Sequence, residues 1–130
     1  MSALKIAVIG LGQFGRAIAT ALTKCGAEVL AIDNREEVVD NMSDQVSAAV
    51  TLDATDKKAL QSVNITDMDA VVVAIGQDME QLLLTTVLVM EMGCKRVIAR
   101  ATGKRVRVIL EKIGVLMQPV ASHRREAVKT

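Results

Sequence analysis

The stretch KIAVIGLGQFGRAIA, residues 5–19, joins an apolar run to a helix-forming segment through three closely spaced glycines. The apolar run is typical of a buried β-strand, and the segment after the glycines is typical of an α-helix. Gly10, Gly12 and Gly15 follow the spacing G-x-G-x-x-G, which permits a tight turn, a close approach of a diphosphate to the main chain, and close packing of the helix on the sheet. Phosphate is also attracted by the amides and the dipole at a helix N-terminus. We therefore predict a phosphate-binding turn; the alternative is a turn of the same shape that holds no ligand.

The rest of the sequence repeats this alternation of strand and helix. Predicted strands cover 4–9, 28–33, 46–53, 69–76, 95–101 and 115–119, and predicted helices cover 14–26, 35–43, 55–63, 78–93 and 104–114. Consecutive apolar residues, as in the fourth strand, are typical of strands covered on both faces. The sequence therefore predicts an α/β fold: a doubly wound, Rossmann-like, mostly parallel sheet with helices on both faces. One domain spans 1–119, and a polar tail follows at 120–130.

Composition argues against several classes of protein. The chain has 130 residues, 16 basic and 15 acidic side chains and a single aromatic residue, Phe14, so neither charge nor stacking surface favours nucleic-acid binding. The first apolar run ends at a glycine, which does not fit a signal peptide, and the apolar segment 81–93 is too short to span a bilayer. Cys25 and Cys94 suit a reducing cytoplasm, where we expect a soluble chain with buried thiols.

An acidic residue, Asp33, ends the second predicted strand, 23 residues after Gly10. At that position a carboxylate accepts hydrogen bonds from the ribose hydroxyls of an adenosine. The same carboxylate repels a 2′-phosphate, which favours NAD over NADP, although the nearby Arg35 weakens this argument. Ligands of open α/β sheets bind outside the carboxyl ends of the strands. There Asp53 is predicted to reach adenine or ribose, or else to cap a helix, and Arg100 to pair with phosphate, or else to be an exposed strand-end charge.

The residues needed for catalysis are missing from this pattern. Hydride transfer needs an acid or base, usually His, Cys, or Tyr with Lys. The sequence has no Tyr, and its single histidine, His123, lies in the polar tail. We therefore assign no catalytic residue and predict a sensor, not an enzyme. The alternative is the nucleotide-binding portion of an NAD-dependent oxidoreductase whose proton donor comes from a partner chain or from a missing C-terminal half.

The predicted helix 78–93 has apolar residues on almost every side. They are Leu82, Leu83, Leu84, Val87, Leu88, Val89, Met90 and Met92. A helix on one face of a sheet needs only one apolar stripe, so the excess predicts a homodimer formed through this helix. The alternative is burial between its own sheet and the terminal helix.

An ordered set of motifs resembles one known family over about residues 5–119. The motifs are VIGLGQFG, EVLAIDNREEVVD, TLDATDKKAL, VVVAIGQDMEQLLLTTVLVMEMG, VIARA and LEKIGV. This set is similar to the RCK or KTN (TrkA-N) domain, found in the regulatory subunits of Trk and Ktr potassium uptake systems. The resemblance implies cytoplasmic subunits that dimerise, assemble into a larger ring and dock on a membrane-embedded potassium transporter at the inner face of the membrane. It also implies that NAD(H), ADP or ATP in the cleft changes the shape of the ring and thereby the opening of the transporter.

The resemblance also assigns nucleotide contacts by position. They are Gly10, Gly12, Gln13, Phe14, Gly15, Asp33, Asn34, Arg35, Asp53, Ala54, Ile75, Gly76, Gln77, Arg100, Ala101 and Thr102. Many members have Arg where Gln13 stands, a cation that reaches a terminal phosphate across the dimer, so the neutral Gln13 favours NAD(H) or ADP. Members commonly end the last strand with Pro-Glu, whereas Val120 follows Pro119 here, and we assign no metal site. Many members continue into a C-terminal regulatory subdomain that this sequence does not include.

Overall fold

A computed structural model describes residues 3–101 and 103–119 of the chain. The strands are β1 (Lys5–Ile9), β2 (Glu28–Asp33), β3 (Ala48–Thr51), β4 (Ala70–Val73), β5 (Val97–Ala101) and β6 (Leu116–Pro119). The helices are α1 (Gln13–Lys24), α2 (Glu36–Met42), α3 (Lys57–Ser62), α4 (Met79–Glu91) and α5 (Lys104–Lys112), with a short 3₁₀ turn at Ile65–Asp67. The predicted tail, residues 120–130, lies outside the described residues.

The six strands form one sheet in the order β3-β2-β1-β4-β5-β6, and every neighbouring pair is parallel. The chain moves outward from β1 through β2 and β3, then crosses back to place β4 on the other side of β1. This is the predicted doubly wound, Rossmann-like fold, which is confirmed. The reversal of direction between β1 and β4 creates a crevice at the carboxyl ends of these strands, where ligands of such sheets bind.

Apolar layers cover both faces of the sheet. On one face, Ala19 of α1 and Val39 of α2 pack against buried residues of β1 and β2. On the other face, Leu82 of α4 and Leu110 of α5 join the core cluster that contains buried residues of β4 and β5. The central strands β1, β2 and β4 are covered on both sides, so their residues are apolar at consecutive positions, as the sequence indicated.

Local side-chain and backbone interactions set the ends of these elements. The carboxylates of Asp56 and Asp78 accept hydrogen bonds from Lys58 N (3.0 Å) and Gln81 N (3.2 Å), and so cap α3 and α4. The fourth strand is shorter than predicted: after Ala74 N donates to Ile9 O (2.7 Å), residues 75–77 turn away from the sheet. This departure makes them one wall of the crevice.

Two expectations about exposure have mixed outcomes. Cys25 is exposed and Cys94 is partly buried, so the expectation of buried thiols is wrong for Cys25, which follows the last turn of α1 at the surface. In α4, the residues that face the sheet are buried, whereas Leu84 and Val87 stay 51% and 38% exposed. Within the part of the chain that is described, none of the helices combines the length and apolar character needed to cross a membrane.

Candidate functional site

A cleft opens at the carboxyl ends of β1, β2, β3 and β4. Its volume is about 210 Å³. It is lined by Ile9, Gly10, Leu11, Gly12, Ile32, Asp33, Asn34, Arg35, Leu52, Asp53, Ala54, Ala74, Ile75, Gly76, Gln77, Asp78 and Gln81. Pockets that enclose a whole ligand usually measure about 300–1,000 Å³. A ligand of dinucleotide size would therefore extend beyond this cleft.

The three glycines of the turn have different structural roles. Gly10 has φ +99°, and a Cβ there would lie 2.8 Å from Ile75 N, so a larger residue would be strained and would collide with backbone. A Cβ at Gly15 would collide with the carbonyl oxygen of Gly10, so glycine is required where α1 passes under the turn. A Cβ at Gly12 would meet no atom within 4 Å. Gly10 and Gly15 thus fix the turn, and Gly12 leaves open space above it.

The N-terminus of α1 opens into this space. Gly12 is its N-cap and supplies no side-chain acceptor, and the first turn contains no acidic residue. The first N–H groups of a helix have no partner within the helix, and they carry the positive end of its dipole. The turn therefore presents main-chain donors and partial positive charge, which is what a phosphate requires.

Asp33, at the end of β2, is 6% exposed and is held by donors from two segments. Its Oδ2 accepts a hydrogen bond from Leu11 N (2.8 Å), and its Oδ1 accepts one from Arg35 N (2.9 Å). The Arg35 guanidinium also donates, from Nε to Oδ1 (3.0 Å) and from Nη2 to Oδ2 (3.2 Å). Burial alone would raise the pKa of Asp33, but the hydrogen bonds from the Arg35 guanidinium and from the two backbone N–H groups outweigh it and hold the pKa below its usual value. The carboxylate is therefore ionised at neutral pH.

The ends of β3 and β4 form the remaining walls of the cleft. Asp53 is exposed there, and its Oδ1 accepts hydrogen bonds from Thr55 N (2.9 Å) and Thr55 Oγ1 (2.6 Å). These hydrogen bonds lower the pKa of Asp53. Asp53 thus stabilises the turn that precedes α3. This role is similar to the helix cap that the sequence offered as its alternative, but the residue that caps α3 is Asp56. Because Asp53 also lines the cleft, its contact with adenine or ribose stays a prediction.

Arg100 lies beside the cleft, near the end of β5, and contacts two other predicted residues. Its Cζ is 4.5 Å from the centroid of the Phe14 ring, a cation–π contact, and its Nη1 would lie 3.1 Å from a Cβ at Gly76. The absence of a side chain at Gly76 therefore accommodates the guanidinium. Its Nε atom is buried and has no hydrogen-bond partner among the described residues. Guanidinium groups bind phosphate strongly, so this position suits a phosphate ligand.

The structure brings most of the predicted contacts together at one cleft. Those that line it are Gly10, Gly12, Asp33, Asn34, Arg35, Asp53, Ala54, Ile75, Gly76 and Gln77. Gln13 instead lines a groove between α1 and α2, and the Ala101 side chain belongs to the core. Gly15, Phe14 and Arg100 support the cleft from outside its lining, and Thr102 lies outside the described residues. Whether these residues bind a nucleotide stays a prediction.

Sequence reasoning missed several residues of the lining. Leu11 contributes the N–H that holds Asp33, and Asp78 and Gln81 come from the start of α4. The sequence did predict a helix start at residue 78. Asp78 and Gln81 could therefore have been predicted as lining residues, because the first turn of a helix that follows a cleft-lining strand lies beside the cleft. Leu11 lies inside the glycine motif, but its contribution is a backbone group, which residue type does not reveal.

A family model for the TrkA-N domain matches residues 6–120. The chain belongs to the TrkA-N domain family. The resemblance drawn from the motifs is thereby confirmed, and the TrkA-N domain accounts for the whole of the sheet and for the cleft.

Individual relatives of this TrkA-N domain include potassium uptake proteins. The chain is 37% identical over 110 residues to Ktr system potassium uptake protein C of Bacillus subtilis (strain 168), which is 85% of this chain and 50% of that protein. It is 36% identical over 110 residues to Ktr system potassium uptake protein A of Vibrio alginolyticus, with the same coverage, 85% and 50%. The chain spans about half the length of these relatives.

A solved structure resembles the fold closely. It is the NAD(P)-binding domain of an exopolyphosphatase-related protein from Archaeoglobus fulgidus, with a TM-score of 0.78 and 27% sequence identity, covering 88% of this chain and 86% of that one. The agreement extends over nearly all of both chains, which supports the Rossmann-like architecture described above.

Proposed function

We propose that this TrkA-N domain is the nucleotide-sensing part of a regulatory subunit that gates a membrane potassium uptake transporter. One observation carries the nucleotide part: the open space above Gly12, at the N-terminus of α1, faces the ionised Asp33 across the same cleft. A turn whose N–H groups can donate to a phosphate and a carboxylate suited to ribose thus line the same cleft. The potassium part is supported by the relatives, which are named as potassium uptake proteins.

The ligand that this arrangement favours is an adenine nucleotide: NAD(H), ADP or ATP. The phosphates would accept hydrogen bonds from the turn at Gly12, and the ribose hydroxyls would donate to Asp33. The related domain from Archaeoglobus fulgidus is described as NAD(P)-binding, which supports this class of ligand. Gln13 is neutral and lines the groove between α1 and α2. Discrimination in favour of ATP by a cation at this position is therefore not part of the proposal.

The proposed role is binding without chemistry. The described residues that line the cleft include no His, Cys, Tyr or Lys, the groups that usually exchange a proton in hydride transfer. An oxidoreductase built on this cleft would need a proton donor from outside the residues that line it. A sensor needs only that the nucleotides bind two shapes of the assembly with different affinity, a factor of about 5–150 in typical cases.

The proposed assembly is a homodimer that forms a larger ring and docks on the transporter at the cytoplasmic face of the membrane. Leu84 and Val87 support the dimer, because both are exposed on α4 while the opposite side of this helix is buried against the sheet. A second copy that covers them would remove apolar surface from water. Sedimentation of the purified chain should give the mass of a dimer or of a larger even-numbered assembly.

Equilibrium titration of NAD, NADH, ADP and ATP into the purified chain tests nucleotide binding. We expect at least one of them to bind with a Kd below about 1 mM. Gly12→Ala should weaken that binding at least about tenfold, because its methyl group would occupy the space of the phosphate. The matched control is Gly103→Ala: Gly103 caps α5, has open space for a Cβ and does not line the cleft. Absence of binding by all four nucleotides would contradict the proposal.

Potassium uptake in the cell that encodes the chain tests gating. Deletion of its gene should change uptake at limiting external potassium. The wild-type gene and the Gly103→Ala variant should restore uptake and the response of uptake to the nucleotide. The Gly12→Ala variant should not restore that response. Unchanged uptake after deletion would contradict the transporter role and leave nucleotide binding unaffected.

A further inference from the structure

The Asp33 carboxylate, which the proposed function assigns to ribose, already has a full set of partners within the chain. Each of its oxygens accepts two hydrogen bonds: Oδ2 from Leu11 N and Arg35 Nη2, and Oδ1 from Arg35 N and Arg35 Nε. A carboxylate offers about four acceptor positions. All of them are used by donors of the chain itself, so a ribose diol has no vacant position to bind.

The four donors differ in how easily they can leave. The N–H groups of Leu11 and Arg35 belong to the backbone of the two turns that form the cleft, and they hold the carboxylate in place. The two guanidinium donors belong to the Arg35 side chain, which is 55% exposed, whereas the Asp33 side chain is 5% exposed. Because the guanidinium is already half exposed, it can rotate into solvent while the carboxylate keeps its two backbone donors. Its two positions, one on each oxygen, are those that the two hydroxyls of a ribose would need.

We propose that Arg35 competes with the ribose of the ligand for Asp33, and that it determines how strongly the cleft discriminates in favour of a ribose diol. The inference rests on the proposed function. In the free chain the guanidinium masks the carboxylate, and in the bound chain it moves aside so that the hydroxyls donate to Asp33. Part of the binding free energy of the diol is therefore spent on displacing Arg35.

Two ligands and one variant isolate this competition. ADP and 2′,3′-dideoxyadenosine diphosphate, which lacks both hydroxyls, are titrated into the wild type and into Arg35→Ala. The variant keeps the backbone N–H that donates to Asp33, and Arg35 supplies no side-chain cap to α2, so the fold should survive. We expect Arg35→Ala to bind ADP about two- to fivefold more tightly, because the ribose hydroxyls would no longer have to displace a half-exposed guanidinium. We expect its affinity for the dideoxy compound to stay within about twofold of the wild type, since that ligand cannot use the unmasked carboxylate.

Arg96→Ala is the matched control, because Arg96 is exposed and immediately precedes β5 at the edge of the sheet opposite the cleft. It removes the same charge and should change neither affinity. Weaker ADP binding by Arg35→Ala would overturn the inference, because Arg35 would then contact the ligand. Equal tightening for both ligands would overturn it as well, and so would tighter binding of NADP than of NAD by the wild type, since Arg35 would then bind the 2′-phosphate.

Failure of the inference is distinguishable from failure of the proposed function. If the wild type binds ADP and Arg35→Ala binds it equally well, only the competition is wrong. If neither protein binds either ligand, the competition for ADP is wrong, and the proposed function is wrong as well only if NAD, NADH and ATP also fail to bind. Binding by Arg35→Ala that depends on the diol, with no detectable binding by the wild type, supports the competition in its strongest form.

Discussion

The two sides of the cleft differ in how much of their hydrogen-bonding capacity the chain itself already uses. On the Asp33 side, formed by the ends of β1 and β2, both carboxylate oxygens are occupied by Leu11 and Arg35. On the Arg100 side, beyond the end of β4, the buried Nε of Arg100 has no hydrogen-bond partner among the described residues. On the Asp33 side, the carboxylate is therefore fixed in place but has no free acceptor position. On the other side, the Arg100 guanidinium is held by packing on Phe14 and Gly76, and its Nε donor is unused. Proximity to a cleft thus does not by itself make a group available to a ligand.

The largest expected effect concerns the turn that joins the two sides. Gly15→Ala should reduce the free energy of unfolding by about 3 kcal/mol or more, because its Cβ would collide with the carbonyl oxygen of Gly10 and backbone must move. Gly12→Ala, with open space and an ordinary φ of −73°, should change it by less than about 1 kcal/mol. Urea unfolding of both variants measures the difference. Equal stability of the two would show that the tight approach of α1 to the turn is not required.

The second-largest expected effect is on nucleotide binding and concerns the unused donor of Arg100. Arg100→Gln should weaken nucleotide binding by about 1.5–3 kcal/mol, the range for a hydrogen bond to a charged group. Stability should change little, since the Arg100 guanidinium packs on Phe14 and its Nε bonds to none of the residues that the structure describes. Calorimetric titration of the variant beside Arg96→Ala checks this. Unchanged affinity would mean that the guanidinium belongs to Phe14 alone and does not reach the phosphates.

The smallest effect is a pH dependence on the Asp33 side. The pKa of Asp33 is lowered in the folded chain, so its ionised form adds stability above the pKa of the unfolded chain, about 3.9, and this stability is lost as pH falls toward the folded value. Asp33→Asn should therefore be less stable than the wild type at neutral pH but lose less stability on acidification. Asp53→Asn, at an exposed site, should differ less from the wild type. Urea midpoints at about pH 7 and about pH 3 measure these slopes. Parallel slopes for the wild type and Asp33→Asn would contradict the account.

Much of the fold could be predicted because each strand carries its own signal. The continuous apolar runs and the alternation of strand and helix predict a parallel sheet, and the observed elements agree within a few residues. The glycine spacing located the turn, since the positive φ of Gly10 and the contact of Gly15 with the Gly10 carbonyl both lie within it. Such features depend on residues close in sequence, which is why they can be read from it.

The site was less predictable because it depends on contacts between distant segments. The sequence places Asp33 at the end of β2, but it does not show that Arg35 folds back onto the carboxylate or that a backbone N–H of Leu11 occupies one oxygen. It likewise places Gln13 in the motif, whereas the rotation of α1 turns that side chain toward the groove beside α2. Residue type and spacing indicate position, and the partners of each group are fixed only by the packing of the whole domain.

A crystal structure of the chain grown with excess ADP tests the central claim most directly. We expect the diphosphate oxygens within hydrogen-bond distance of the main-chain N–H groups at the start of α1, above Gly12. We expect the ribose hydroxyls on Asp33, with the Arg35 guanidinium moved away from the carboxylate. A cleft that stays empty at saturating ADP, or a ligand bound with its phosphates away from Gly12, would contradict the account.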